Sequence, residues 1–269
     1  MGGQALADGV LMRTARAWAI ARADGEVTSG TFPPSRWSRV PVIRVLVGLV
    51  QGLRLGFGPR ASGGAAGGSD PARRTRRAAL WRPLLGAEAI VLLAGWALGR
   101  AQLPAWARPF ETAGIWVLAL AAFRLLTPAA LWRYHGAEHK AVAAHETGVA
   151  LDDLDGVLAC PRVHPRCGTN LMVWVVVLLP LLARLPGAAQ VLAIPLALGA
   201  VAEVLGLAAR HPSTLPAWIL LLPGRLLQRF VTTREPVPAE QQVGCRALAA
   251  CLAAHRAVLG ANAPEPSPV

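Results

Sequence analysis

Hydrophobic and polar positions along this chain fall into three registers. In residues 4–31 they alternate: Trp18, Ile20 and Arg22 stand between small residues, Asp24–Gly25 offers a hairpin turn, and Val27 resumes beyond it. Period-two alternation about such a turn predicts short strands, so residues 1–39 are expected to form an N-terminal β-hairpin region. In residues 40–57 (VPVIRVLVGLVQGLRLGF) the apolar run is broken by Arg44, Gln51 and Arg54, which predicts an amphipathic helix lying in a membrane interface. From residue 80 the apolar positions run together, over 80–99, 112–132, 170–185 and 188–209. A helix needs about 20 such residues to cross the hydrocarbon core, so four spans are expected, the third of them short.

Other stretches divide these registers. Residues 58–79 are Gly-rich and then Arg-rich (Arg73, Arg74, Arg76, Arg77), the composition of a flexible basic linker. Residues 214–230 (TLPAWILLLPGRLLQRF) hold two prolines and two arginines, which favours a re-entrant or surface helix. A bundle over 80–235, carrying a polar loop at 133–169, and a cytoplasmic segment over 236–269 with a disordered end complete the organisation. The expected fold class is an all-α polytopic membrane protein, a bundle of about four transmembrane helices with a small β-hairpin region in front.

Composition sharpens this. Hydrophobic residues make up 54% of the chain and charged residues 16%, against about 25% charged in soluble domains. The net charge is +12, yet no nucleic-acid motif accompanies it, so nucleic acid is not an expected partner; basic residues flanking apolar spans suit anionic lipid. With four spans, 23 of the 27 Lys/Arg fall on one side, which places both termini and the central loop in the cytoplasm. The expected location is the cytoplasmic (inner) membrane, multi-pass, with the lipid bilayer as partner. Four cysteines are too few for a disulfide framework. MGGQALADGV lacks a basic start and apolar core, so no cleavable signal peptide is expected.

Candidate chemistry clusters just after the second span. His135 and His139 are four residues apart, so on a helix they share a face and suit one divalent ion. Glu146 falls on nearly the same face, about 20° away. Glu138 lies between the histidines, and His-x-x-Glu-His matches the inverted zinc-peptidase pattern, in which the glutamate is general base. The plainer reading is a hydrated helix face, but three of six histidines lie within eleven residues in a chain poor in polar groups. Ahead of the third span, His164 and Cys167 stand three apart on a Pro-containing turn with Arg166 between them. They are either further zinc ligands or a loop entering a helix, with Thr169 as cap and Arg166 on lipid phosphate. Glu203 lies in an apolar run seven positions before Arg210; it is either a ligand or proton carrier, or a structural partner of Arg124, a role for which Glu88 is the other candidate.

At these residues the chain resembles a bacterial family of integral membrane proteins described as predicted metal-dependent enzymes, the YqhQ-like proteins (domain of unknown function 1385). The resemblance rests on GGQALADGVLMR at 2–13, YHGAEHKAVAAHETG at 134–148, HPRCGT at 164–169 and LPGRLLQRFVTTREP at 222–236. It implies polar family positions at Gln4, His135, Glu138, His139, Lys140, Glu146, His164, Arg166, Cys167, Glu203, Gln228, Thr232, Thr233 and Arg234. Asp8 stands where the family usually has glutamate, His145 where it has tyrosine, and Gln242 where a glutamate is expected. The leading expectation is a metal-dependent hydrolase. His135 and His139 would hold a divalent metal, expected to be Zn²⁺, with Cys167, His164, Glu146 or Glu203 completing the shell. Glu138 would serve as general base, and Lys140 and Arg166 as contacts to an anionic substrate, such as a lipid head group or a membrane-proximal peptide. The alternatives are a non-catalytic membrane adaptor or assembly factor with a structural metal, and ion transport through Glu203 and Glu88.

Overall fold

The computed structural model describes residues 1–33, 40–57, 71–101, 104, 108–182 and 184–261. Its N-terminal part is a sheet of four strands rather than a single hairpin. β1 (Gly2–Leu6), β2 (Gly9–Arg13), β3 (Ala17–Arg22) and β4 (Val27–Thr31) form an antiparallel meander in that order. The hairpin expected around Asp24–Gly25 is its second half: Ile20 faces Thr28 and Ala21 faces Val27 across β3 and β4. Gly25 turns the chain at φ 94°, a left-handed conformation that costs glycine little. Period two then sends alternate residues to opposite faces. Val10, Met12, Ala19 and Ala21 face one core, and Leu11, Trp18 and Ile20 face another.

Each face has its own cover. α1 (Ile43–Phe57) lays Leu55 against Leu6, Leu11, Trp18 and Ile20. On the other face lie α4 (Ala129–Thr147) and α9 (Pro238–Ala261), which contribute Tyr134, Ala141, Val142, Val243, Ala247, Leu248 and Cys251 to one continuous core. α4 is central, packed against β1, β2, α9 and the short α5 (Leu154–Ala159). It ends at Gly148, φ 79°, a left-handed cap of the kind that commonly closes helices.

The apolar stretches are helical, with corrected boundaries. α2 (Pro71–Arg100) begins well before residue 80, so Arg73, Arg74, Arg76 and Arg77 lie on a helix rather than in a linker. The rest of the expected linker, 58–70, lies outside the described residues, as does the expected disordered end from 262. The run 112–132 is two helices: α3 (Arg108–Leu126) stops, and α4 starts after Pro128. Proline has no N–H to continue the ladder and disfavours a helical residue before it. α2 packs against α3; α6 (Gly168–Leu182), α7 (Gly187–Ala208) and α8 (Leu215–Leu227) pack on one another. α8 widens into a π-helical turn, Gln228–Thr232, and the chain then runs back under α4, where the Arg234 N–H donates to the Trp132 carbonyl at 2.9 Å.

α7 and residues Pro238–Gly260 of α9 are long and apolar enough to cross a membrane. Shorter apolar helices run over Val117–Leu126 and Gly168–Leu178. Among the described residues, Arg124 pairs with neither Glu203 on α7 nor Glu88 on α2. The Glu203 carboxylate takes hydrogen bonds from Nε and Nη2 of Arg44 and, at 3.2 Å, from the Val42 N–H just before α1. Arg124 instead lies 5.3 Å over the Trp132 ring.

Candidate metal centre

Two imidazoles and one thiol converge where α4 meets the turn leading into α6. The ligand atoms of His135, His139 and Cys167 all lie within 4.8 Å of one another. Helical spacing sets the two histidine rings edge to face, with centroids 4.5 Å apart, and His135 Nε2 is 3.3 Å from Cys167 Sγ. Each ring is oriented by a backbone carbonyl. His135 Nδ1 donates to Thr232 O and His139 Nδ1 to Arg162 O, both at 2.6 Å. A carbonyl can only accept, so Nδ1 carries the proton and Nε2 keeps its lone pair, the arrangement found around metal-bound histidines.

His139 Nε2 is the decisive atom. The residue is 2% exposed and this nitrogen has no hydrogen-bond partner. An acceptor stripped of water and left unpaired is costly, and a cation between the three donors would satisfy it. The cluster therefore fits a metal ion. Two nitrogens and a sulfur make a borderline-soft donor set.

The cluster opens onto a cavity of about 410 Å³. Glu138 lines it, buried, with the Gly3 N–H donating to its carboxyl; burial pushes its pKa up to about 7, against the opposing pull of His135 and Arg13. Gln4, Arg13, His164, Arg166 and Thr169 share the lining. Thr169 accepts the Cys167 thiol at 3.3 Å and meets the Thr232 hydroxyl at 3.4 Å.

Several expected site residues serve other ends. His164 and Glu146 are not among the clustered donors; they pair with each other at 3.2 Å, and Arg166 closes on the same carboxylate. The Arg166 N–H occupies His164 Nδ1 at 3.3 Å. Burial holds the His164 pKa down while Glu146 pulls it up. Lys140 does not line the cavity. It caps α5, donating to Leu158 O at 2.6 Å and Cys160 O at 2.7 Å, and meets Glu235 at 3.1 Å. Glu203, engaged by Arg44, is no part of the cluster or the cavity lining. Asp8 binds Arg22 at 2.8 Å in the β1–β2 turn. Thr233 donates to Gln228 O and takes a bond from Arg162 Nε, and Arg234 acts through its backbone.

Three supports were not anticipated. Gly3 lies so close to Glu138 that an added Cβ would sit 2.6 Å from the carboxyl. Gly136, between the two histidines, lets the Arg234 carbonyl approach α4 where a Cβ would collide with it. Both are glycines where the local pattern needs none, the one available signal. Arg13 carries no such signal: it ends a strand, and only the sheet brings it to the cavity.

Residues 115–254 match the family model described as Protein of unknown function (DUF1385). All three clustered ligands and Glu138 fall inside that match; the sheet and α1 fall outside it. No curated protein and no solved structure matches the chain.

Proposed function

The chain belongs to the family described as Protein of unknown function (DUF1385), and on that premise we propose that it is a metal-dependent membrane enzyme, a hydrolase acting at the cytoplasmic face. The observation that carries the reading is the buried, unpartnered Nε2 of His139 beside His135 Nε2 and Cys167 Sγ. These three atoms hold the ion, and the donor set favours Zn²⁺. Three protein ligands leave a coordination position open, the feature that separates catalytic from structural zinc sites. When bound, such an ion supplies Lewis acidity and makes water nucleophilic near neutral pH.

This chain's own residues supply the rest. Glu138, on the same cavity wall, takes the proton from water as general base. Thr232 and Arg162 hold the imidazoles in the ligating tautomer through their carbonyls. The cavity admits a lipid head group or a membrane-proximal peptide.

Membrane residence is part of the proposal. α7 has mean hydropathy 2.2 and is only 17% buried along its apolar length, a surface suited to a bilayer. Large exposed apolar residues continue over α2 (Leu92, Leu93, Trp96), α3 (Val117, Leu125) and α6 (Met172, Val177). The four spans are thus α2, α3, α6 and α7, in the inner membrane, with both termini cytoplasmic by the distribution of basic residues. A reporter fused after Val269 is expected to read as cytoplasmic, and an external signal overturns that orientation.

Elemental analysis of the detergent-purified protein tests the centre. The wild type is expected to carry about one zinc per chain, as a single site requires, and His139→Ala to lose most of it; equal metal content in both removes the site. Glu138→Gln should keep the metal and abolish turnover. X-ray absorption showing four protein donors would instead favour a structural site in an adaptor or assembly factor.

A further inference from the structure

The cavity carries a positive wall that metal binding leaves unused. Arg13, at the end of β2, lines it. Its Nη1 donates to the Gly48 carbonyl of α1 at 2.6 Å, and among the described residues no carboxylate lies within ion-pair distance of it. Glu138 is near enough to feel its charge without pairing with it. A half-buried guanidinium with no carboxylate paired to it keeps donors for an incoming anion. Arg166 gives one nitrogen to Glu146, leaving other donors of its five-donor fork. α6 begins at the cavity, where Gly168 and Thr169 line it, so the positive end of a 15-residue helix adjoins the same space.

We propose that this cavity binds the phosphate group of a phosphate monoester, with Arg13 and Arg166 as its cationic contacts. Two guanidinium groups from different elements and a helix N-terminus suit a tetrahedral dianion, which offers oxygens in several directions. A planar carboxylate matches one fork at a time. The inference rests on the proposed function only in taking the cavity as the substrate site; binding itself needs no metal. The phosphate belongs either to a lipid head group, since the apolar helix α6 begins at the cavity, or to a soluble ester.

Calorimetric titration of the full-length protein in a neutral detergent, after chelation of metal, tests this with three probes: dihexanoyl phosphatidate, glycerol 3-phosphate and glycerate. Both phosphates are expected to bind, with glycerate about tenfold weaker or worse, the scale of one charge-assisted contact. Tighter binding of the phosphatidate assigns the group to a lipid, and equal binding assigns it to a soluble ester. Arg13→Gln and Arg166→Gln should each weaken phosphate binding, Arg13→Gln by about tenfold, with zinc content unchanged. Glycerate binding as well as the phosphates, or unchanged phosphate affinity in both variants, overturns the proposal. Should the wild type hold no zinc yet bind phosphate through these arginines, the metal centre fails and this inference stands.

Discussion

α7 and α9 both meet the length and apolarity needed to cross a bilayer, with mean hydropathies of 2.2 and 1.3, and their surroundings differ completely. α9 turns Val243, Ala247, Leu248 and Cys251 onto the sheet and α4, and leaves Gln242, Arg246 and Arg256 outside. α7 leaves Val191, Leu192, Leu196 and Leu207 exposed, with nothing among the described residues to cover them. Leaving a large aliphatic side chain in water forgoes about 1.5–3 kcal/mol, so a row of them favours cover by lipid or by another protein surface. Apolarity says that surface must be hidden; the partner decides whether protein or lipid hides it.

Matched substitutions sharpen the contrast. The largest effect is expected in the α9 core: Leu248→Ala, at a fully buried side chain, should cost about 2–5 kcal/mol. Leu192→Ala on α7, 68% exposed, should stay within about 0.5 kcal/mol. Denaturant unfolding in detergent measures both, and equal losses would mean that α7 is covered by protein after all. Glycine substitutions give a smaller contrast. Gly136→Ala forces a Cβ into the Arg234 carbonyl and should destabilise by about 1–3 kcal/mol, with a loss of bound zinc because His135 and His139 flank it. Gly206→Ala on α7 has no neighbour within 4 Å and should be neutral or stabilise by up to about 1 kcal/mol.

The smallest energetic effect accompanies thiol labelling. Cys251 is buried under the sheet, and burial pushes its thiol up to about 11, so little thiolate forms at neutral pH and a water-soluble maleimide should not modify the folded protein there. A cysteine placed by Leu192→Cys should resist both a membrane-permeant and a water-soluble maleimide in proteoliposomes, because hydrocarbon suppresses the thiolate, and react once denaturant unfolds the protein. Rapid labelling by the soluble reagent would place α7 in water.

The site was legible in proportion to how local its determinants are. His135 and His139 share a helix face because four residues make roughly one turn, and Cys167 announced itself beside His164 on a Pro-containing turn. Lys140 follows His139 directly, and one residue is about 100° of helical rotation; it therefore faces α5 rather than the cavity. His164 and Cys167 share the turn, yet the former goes to Glu146 and the latter to the histidines. Glu203 carried the right chemistry for a ligand and finds Arg44, 159 residues away. The β3–β4 hairpin was visible in Asp24–Gly25, whereas β1 (GGQAL) has too few apolar residues to alternate and becomes a strand by pairing with β2.

What the sequence by itself determined are the properties set by near neighbours and by composition: the apolar runs and most of their helical extents, the hairpin turn, and the helical pairing of two imidazoles. Only the tertiary structure decided which polar groups meet. The sheet brings Gly3 and Arg13 to Glu138, the turn before α6 presents Cys167, and α9 is covered where α7 is not. The physical reason is range. Dihedral preferences and hydrophobic periodicity act over a few residues, while hydrogen bonds, ion pairs and burial join whatever the folded chain brings within a few ångströms.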